Sequence, residues 1–209
     1  MSAKIMSKGR GQSVSTTANG DSLEVANQLS VEQALTDGAV ICYPTEAIFG
    51  LGCDPDNQAA VAHLLQLKGR PLSKGLILIA DNYSQCLPYV ADEHIPLHKR
   101  AEIFSSWPGA VTWLLPAKAS APRWLTGGRQ TIAIRVTAHP VVKRICQAFA
   151  KPIVSTSANF SGEMPVTSLS QAKALFADQV GYYVDGPLGS HSSPSVIKDA
   201  MTGKVIRGT

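Results

Sequence analysis

Long apolar runs are missing from this chain of 209 residues. Its longest aliphatic run, Leu76 to Ala80, falls far short of the roughly 20 residues that a membrane span needs, so no membrane role is expected. Lys4, Lys8 and Arg10 near the start are not followed by an apolar stretch, so the N-terminus does not read as a secretory signal. Cysteine is scarce: Cys42, Cys53, Cys86 and Cys146 show no Cys-x-x-Cys spacing, and without an export signal a disulfide framework is not expected. These absences point to a cytoplasmic protein with reduced thiols. Aromatic residues make up only 6% of the chain and no basic run occurs, so there is no obvious platform for stacking bases. The net charge of +4 accommodates an anionic ligand or RNA without demanding either.

The common catalytic signatures are absent as well. There is no Gly-x-x-x-x-Gly-Lys-Ser/Thr, so a nucleotide site would not be a P-loop. No Gly-x-Gly-x-x-Gly opens a helix, and the missing Gly-x-Ser-x-Gly argues against an α/β-hydrolase. His94 and His98 are spaced i, i+4, but Pro96 lies between them and no His-Glu-x-x-His occurs; protein side chains are not expected to hold a metal.

What is present is an alternation of short strands and amphipathic helices. Residues 1–20, rich in Ser, Thr, Gly and Asn, are expected as a flexible tail ahead of one domain over 21–209. A helix is predicted over Ser22–Thr36 and a strand over Ala39–Tyr43, with Gly50 and Gly52 marking tight turns or close approach to a ligand. Ala60, Val61, Leu64 and Leu65 form the stripe of a helix capped by Asp56 or Asn57 and stopped at Lys68-Gly69-Arg70-Pro71. Strands follow at Leu76–Ala80, Val111–Leu115, Thr131–Val136 and Val180–Val184, then Val196-Ile197 paired with Val205-Ile206. Helices are expected at Pro96–Phe104, after His139-Pro140 and near Ser170–Phe176, and a loop at Ala117–Gly128. Strict βαβ alternation is lacking, which favours a single α/β domain with a twisted, mixed parallel and antiparallel sheet flanked by helices.

The stretch from Pro152 to Gly162 has the most chemical character. Ile153 and Val154 open it as a buried strand, and Ser155, Thr156, Ser157 and Asn159 then place small hydrogen-bonding groups at its end, where open α/β sheets take ligands. Alternation puts Ser155 and Ser157 on one face. Lys68 and Arg70 read either as a helix terminus complementing the dipole or as a clamp on phosphate oxygens. Arg135, between Ile134 and Val136, needs an anion: a structural carboxylate or, as the sharper reading, a substrate carboxylate. Thr45 follows a proline at a strand end, and Ser195 and Arg207 lie on the last strands.

Taken in order, Tyr43-Pro44-Thr45-Glu46, Lys68-x-Arg70, Trp107-Pro108-Gly109, Ile134-Arg135-Val136-x-x-His139-Pro140 and Ser157-x-Asn159-x-Ser161-Gly162 resemble the YrdC/Sua5 family, the threonylcarbamoyl-AMP synthases. The resemblance covers roughly Leu23 to Gly208, and Pro194-Ser195-x-Ile197-x-Asp199-Ala200 with Arg207 is similar to the short bacterial form without an added C-terminal domain. Ala47 stands where the family often has Thr or Ala. The resemblance implies a YrdC-like fold with a concave basic cleft. It implies synthesis of threonylcarbamoyl-AMP and pyrophosphate from L-threonine, bicarbonate and ATP, for the t6A modification of tRNAs that read codons beginning with A. It implies Lys68, Arg70, Thr131, Ser157, Asn159 and Arg207 on ATP and Thr45, Arg135, Ser155 and Ser195 on L-threonine. Mg²⁺ is expected with ATP, no covalent nucleophile is expected, and TsaD/TsaB/TsaE-type machinery is the expected recipient of the product. The loop Pro187–Pro194 is a candidate lid. The rival readings are a double-stranded RNA-binding or ribosome-maturation factor and a carbamoyltransferase using carbamoyl phosphate.

Overall fold

The β-branched and aliphatic segments assemble into a nine-stranded mixed sheet in the order β7-β1-β2-β6-β3-β5-β4-β8-β9. The structure, a computed structural model, describes residues 31–191 and 195–208. In chain order the main elements are α1 (31–36), β1 (Ile41–Pro44), β2 (Phe49–Gly52), α2 (Gln58–Leu67), β3 (Ile77–Ala80), α3 (Leu97–Ser105) and β4 (Val111–Pro116). There follow α4 (Arg123–Thr126), β5 (Thr131–Val136), α5 (Pro140–Ala148), β6 (Ile153–Ser157), α6 (Leu169–Phe176), β7 (Tyr182–Tyr183), β8 (Val196–Asp199) and β9 (Val205–Arg207). β1/β7, β3/β5 and β4/β8 pair in parallel, and the other neighbours are antiparallel.

Period-two alternation sorts the core into two layers. Ile41, Tyr43, Ile79 and Ile153 pack with α1 and α5, through Val31, Leu35, Val142 and Ile145. Cys42, Leu78, Ile134 and Val154 face the other way, into a larger cluster with Val61 and Leu64 of α2, Ile103 of α3 and Phe176 of α6. The expected α/β domain with a mixed sheet and flanking helices is therefore the observed one.

Several boundaries differ. Gly50 and Gly52 do not form turns but lie in β2, where backbone approach is close: a Cβ on Gly52 would meet the Val154 carbonyl at 2.4 Å. Glycine's weak strand preference hid this strand, although the close approach itself was legible. The segment Ala117–Gly128 contains α4, whose single turn is too short to show periodicity. Pairing along Val180–Val184 narrows to β7, whose strand partner among the described residues is β1. The expected tail over 1–20, residues 22–30 of the first helix, and residues 192–194 of the proposed lid lie outside the described residues.

Candidate functional site

The sheet opens at the end of β6. Ile153 to Ser155 pair with β3, whereas Thr156 and Ser157 pair with β2 alone, so the strand loses one neighbour where its sequence turns from aliphatic to hydroxylic. A pocket of about 170 Å³ forms there, lined by Thr45, Glu46, Arg70, Arg135, Ser155, Ser157, Ser195 and Arg207 among others. A recess of about 250 Å³ shares Leu76 with it and is lined by Lys74, Arg129, Thr131, Ala133 and Ile206. On β5, Thr131, Ala133 and Arg135 share one face by alternation, while Ile132 and Ile134 enter the core. One face of a single strand thus runs from the recess to the pocket.

Arg135 is 8% exposed and sits between two acceptors. Its Nε donates to the Gly109 carbonyl (3.1 Å), and its Nη2 lies 2.6 Å from Glu46 Oε1. That second contact is an ion pair, and Nη2 has no other partner among the described residues. Burial lowers the guanidinium's pKa from the ordinary arginine value and the Glu46 charge opposes it. The structural-carboxylate reading of Arg135 has its residue in Glu46, while Arg135 also lines the pocket. Thr137 donates to the same Glu46 oxygen (2.6 Å), and the Thr137 hydroxyl accepts from the His139 backbone N–H (3.0 Å).

The hydroxyls around this end are oriented by neighbours. Thr45 Oγ1 donates to the Ile48 carbonyl (2.7 Å), a contact within its own turn, and still lines the pocket. Tyr43, buried and with its phenol pKa pushed well up by burial, donates to Ser155 Oγ (2.9 Å). Ser195 Oγ is 2.9 Å from Thr112 Oγ1.

The cations are placed by the end of α2. Asn57 caps its start, accepting from the Ala60 N–H (3.0 Å). At its other end Gly69, with φ +58, lets the Gly69 N–H reach the Gln66 carbonyl and the Arg70 N–H reach the Leu65 carbonyl, a Schellman closure. Lys68 and Arg70 then part company. Lys68 is 4% exposed, and its ammonium donates to the carbonyls of Ser157 and Asn159 and to Asn159 Oδ1. Ser157 Oγ also donates to Asn159 Oδ1 (2.6 Å), and Asn159 Nδ2 donates to the Glu163 carbonyl (2.7 Å). An ammonium has three N–H bonds, and all three have acceptors here. Burial, helped by the Arg70 charge, brings the Lys68 pKa down to about 8.

Arg70 instead lines the pocket. Its Nη2 donates to the Gly75 carbonyl (2.9 Å) and its Nε is buried without a partner among the described residues. Arg207 lies across the pocket, with Nη2 3.4 Å from the Ser195 carbonyl. Arg129, directly after a glycine pair, donates to the Lys74 carbonyl (3.1 Å). Burial lowers the Arg70 pKa, and the charges of Arg207 and Arg129 lower it further, so the three guanidiniums share one electrostatic field. Of the residues expected on ATP, Arg70, Ser157 and Arg207 line the pocket, Thr131 lines the recess, and Lys68 and Asn159 stand behind the wall. All four expected on threonine line the pocket. Glu46 and Arg129 were not singled out from sequence; the acidic residue directly after Pro-Thr was the available signal for the first.

The Sua5/YciO/YrdC family model, described as "Telomere recombination", matches residues 33–208. The threonylcarbamoyl-AMP synthase of Pseudoalteromonas translucida (strain TAC 125) is 60% identical over 187 residues, covering 88% of this chain and 100% of that one. That of Escherichia coli O1:K1 / APEC is 51% identical over 173 residues, covering 83% of this chain and 90% of that one. The crystal structure of P. abyssi Sua5 complexed with L-threonine is similar with TM-score 0.74 at 29% identity, covering 82% of this chain and 51% of that one, so this chain spans about half its length. E. coli YciO shares the fold at TM-score 0.71 and 24% identity, covering 82% of this chain and 84% of that one.

Proposed function

The chain belongs to the Sua5/YrdC family, and from that premise we propose that its pocket joins L-threonine, bicarbonate and ATP into threonylcarbamoyl-AMP and pyrophosphate, the activity that its relatives' names carry. The observation that supports this most is the meeting of two kinds of group in one pocket: Thr45, Arg135, Ser155 and Ser195, suited to a small hydroxy amino acid, and Arg70 and Arg207, suited to phosphates. Synthesis of this adenylate serves the t6A modification of tRNA, and the product passes to TsaD/TsaB/TsaE-type machinery in the cytoplasm. No described helix is long and apolar enough to cross a membrane.

Arg135 receives the threonine carboxylate on the donor capacity that its contacts with Gly109 and Glu46 leave free. Thr45 and Ser195 read the substrate hydroxyl. Threonine's nitrogen, carboxylated by bicarbonate-derived CO₂, presents a carbamate oxygen that attacks the α-phosphorus of ATP; the bond to the bridging oxygen breaks and pyrophosphate leaves. Arg70 and Arg207 neutralise the charge that develops, and Ser157 adds a hydroxyl held in place by Asn159. Lys68 works through the Ser157–Asn159 turn that it ties down. Thr131 faces the nucleotide from the recess. A Mg²⁺ accompanying ATP would supply screening of its phosphate charge. The pocket's three arginines and one paired carboxylate do not make a magnesium cage, so the ion would be held by the nucleotide.

The test is mass spectrometry of the products formed from ATP, bicarbonate and L-threonine. Threonylcarbamoyl-AMP that requires all three is the expected result; product formed without threonine, or none with all three, defeats the reading.

A further inference from the structure

We propose that Glu46 receives the amino group of the substrate amino acid on its Oε2 oxygen. This rests on the functional reading above and extends it, by giving the amino acid's cationic group a residue.

Glu46 is 6% exposed and lines the pocket, where it is the single acidic side chain beside three arginines. Its two oxygens have different surroundings. Oε1 serves Thr137 (2.6 Å) and the Arg135 ion pair (2.6 Å). Oε2 is buried and has no hydrogen-bond partner among the described residues. A carboxylate oxygen withdrawn from water without a donor is costly, so the position favours a ligand that brings one. Two other buried orphans belong to this network: Arg135 Nη2, which is turned to Oε1 in the ion pair, and His139 Nδ1, which cannot donate in the neutral ring. His139 Nε2 lies 3.2 Å from the Pro187 carbonyl, which only accepts, so Nε2 carries the proton and Nδ1 a lone pair. Burial lowers the His139 pKa, and the Glu46 charge opposes it.

The chemistry of the ligand completes the argument. An α-amino acid is a zwitterion whose ammonium and carboxylate lie on one carbon. The pocket lining offers a guanidinium and a carboxylate in contact, and each keeps one buried polar atom without a hydrogen-bond partner among the described residues. The corner is also rigid. The Thr45 and Glu46 carbonyls accept from the N–H groups of Gly189 (3.0 Å) and His191 (3.1 Å). A Cβ on Gly189 would lie 2.8 Å from the Glu46 Cα, so the chain segments are packed face to face. Glu46 therefore fixes where the nitrogen sits, and with it where the carbamate forms.

The experiment is calorimetric titration of the full chain, wild type, Glu46→Gln and Glu46→Asp, with L-threonine and with 3-hydroxybutanoate, which keeps the hydroxyl and carboxylate but lacks the amino group. The wild type should prefer threonine by at least about tenfold, the scale of one charge-assisted hydrogen bond. Glu46→Gln should bring the two ligands towards parity by losing threonine affinity alone. If Glu46 is only the counter-ion of Arg135, both ligands weaken in equal proportion and the ratio stays, which overturns the proposal. Should Glu46→Gln not fold, Glu46→Asp keeps the charge and must still narrow the ratio; an unchanged ratio overturns the proposal too. Near-parity in the wild type also overturns it. A wild type that binds neither ligand overturns the functional reading itself, an outcome distinct from the others.

Discussion

The two ends of the pocket handle charge in opposite ways. At the Arg135 end, the guanidinium is buried against a carboxylate 2.6 Å away, and each hydroxyl there has a protein neighbour. At the Arg70 end, Arg70, Arg207 and, in the adjoining recess, Arg129 bond to the backbone carbonyls of Gly75, Ser195 and Lys74, and none has a carboxylate partner among the described residues. A neutral, internally paired end is preorganised for a ligand that is itself neutral overall. An end with surplus positive charge is held together against self-repulsion, and a polyanion relieves it. The difference teaches that stability and ligand binding are coupled in one half of the site and opposed in the other.

Breaking the paired end should have the largest effect. Arg135→Met leaves the Glu46 carboxylate buried without its counter-ion, and removing one partner of such a pair costs about 3–5 kcal/mol. Denaturant unfolding should show that loss, and the double variant with Glu46→Gln should recover much of it while still failing to bind threonine. A single Met variant as stable as the wild type would mean that the ion pair does not hold the corner.

The unpaired end should break differently. Arg70→Ala and Arg207→Ala should each lower kcat/KM for ATP by about tenfold to a thousandfold, with unfolding free energy within about 0.5 kcal/mol of wild type or higher. Large destabilisation with normal turnover would reverse the comparison. Lys68 lies between the two cases. Lys68→Met, which empties three acceptors in a buried turn, should cost about 1–3 kcal/mol and lower turnover as a consequence.

A salt titration sharpens the same contrast. Pyrophosphate should raise the melting temperature, and the rise should shrink markedly between 0.05 and 0.5 M salt, conditions over which the screening length falls to roughly half a nanometre. The rise given by threonine, bound at a buried and paired site, should change less. Equal salt sensitivity would argue that both ligands sit at exposed charges.

The remaining expected effect concerns pH. The folded Lys68 pKa of about 8 lies below the ordinary value of 10.5. Above about pH 8 the folded chain releases this proton while the unfolded chain keeps it until about 10.5, so this group makes stability rise with pH across that window and adds no slope below it. Comparing stability–pH curves of the wild type and Lys68→Met from pH 7 to 10.5 isolates the contribution; an identical slope in both refutes it.

Much of the fold was legible because burial imposes period. Ile132 and Ile134 against Thr131, Ala133 and Arg135 alternate as a strand with two unlike faces must, and the α2 and α5 stripes follow helical spacing. β2 was not legible, since Phe49-Gly50-Leu51-Gly52 lacks the side chains that announce a strand. Of the site, the hydroxyl-rich end of β6 and the cations after α2 could be read from local chemistry; Glu46 had only its place after Pro-Thr to mark it, and Arg129 had no local feature to distinguish it from surface charge.

The sequence by itself determined which segments become strands and helices and which residue types stand at their ends, because those depend on near neighbours along the chain. It also carried the ordered motifs of the family. Only the tertiary structure decided how Lys68 and Arg70, two residues apart, divide their work. One points into the turn of Ser157 and Asn159, 89 and 91 residues away, and the other lines the pocket. It likewise decided that the anion beside Arg135 is Glu46, 89 residues earlier in the chain by number, through the meeting of the β1–β2 corner with β5. The physical reason is the same in both cases: a buried charge is satisfied by whatever the fold brings within about 3 Å, and sequence separation places no limit on that.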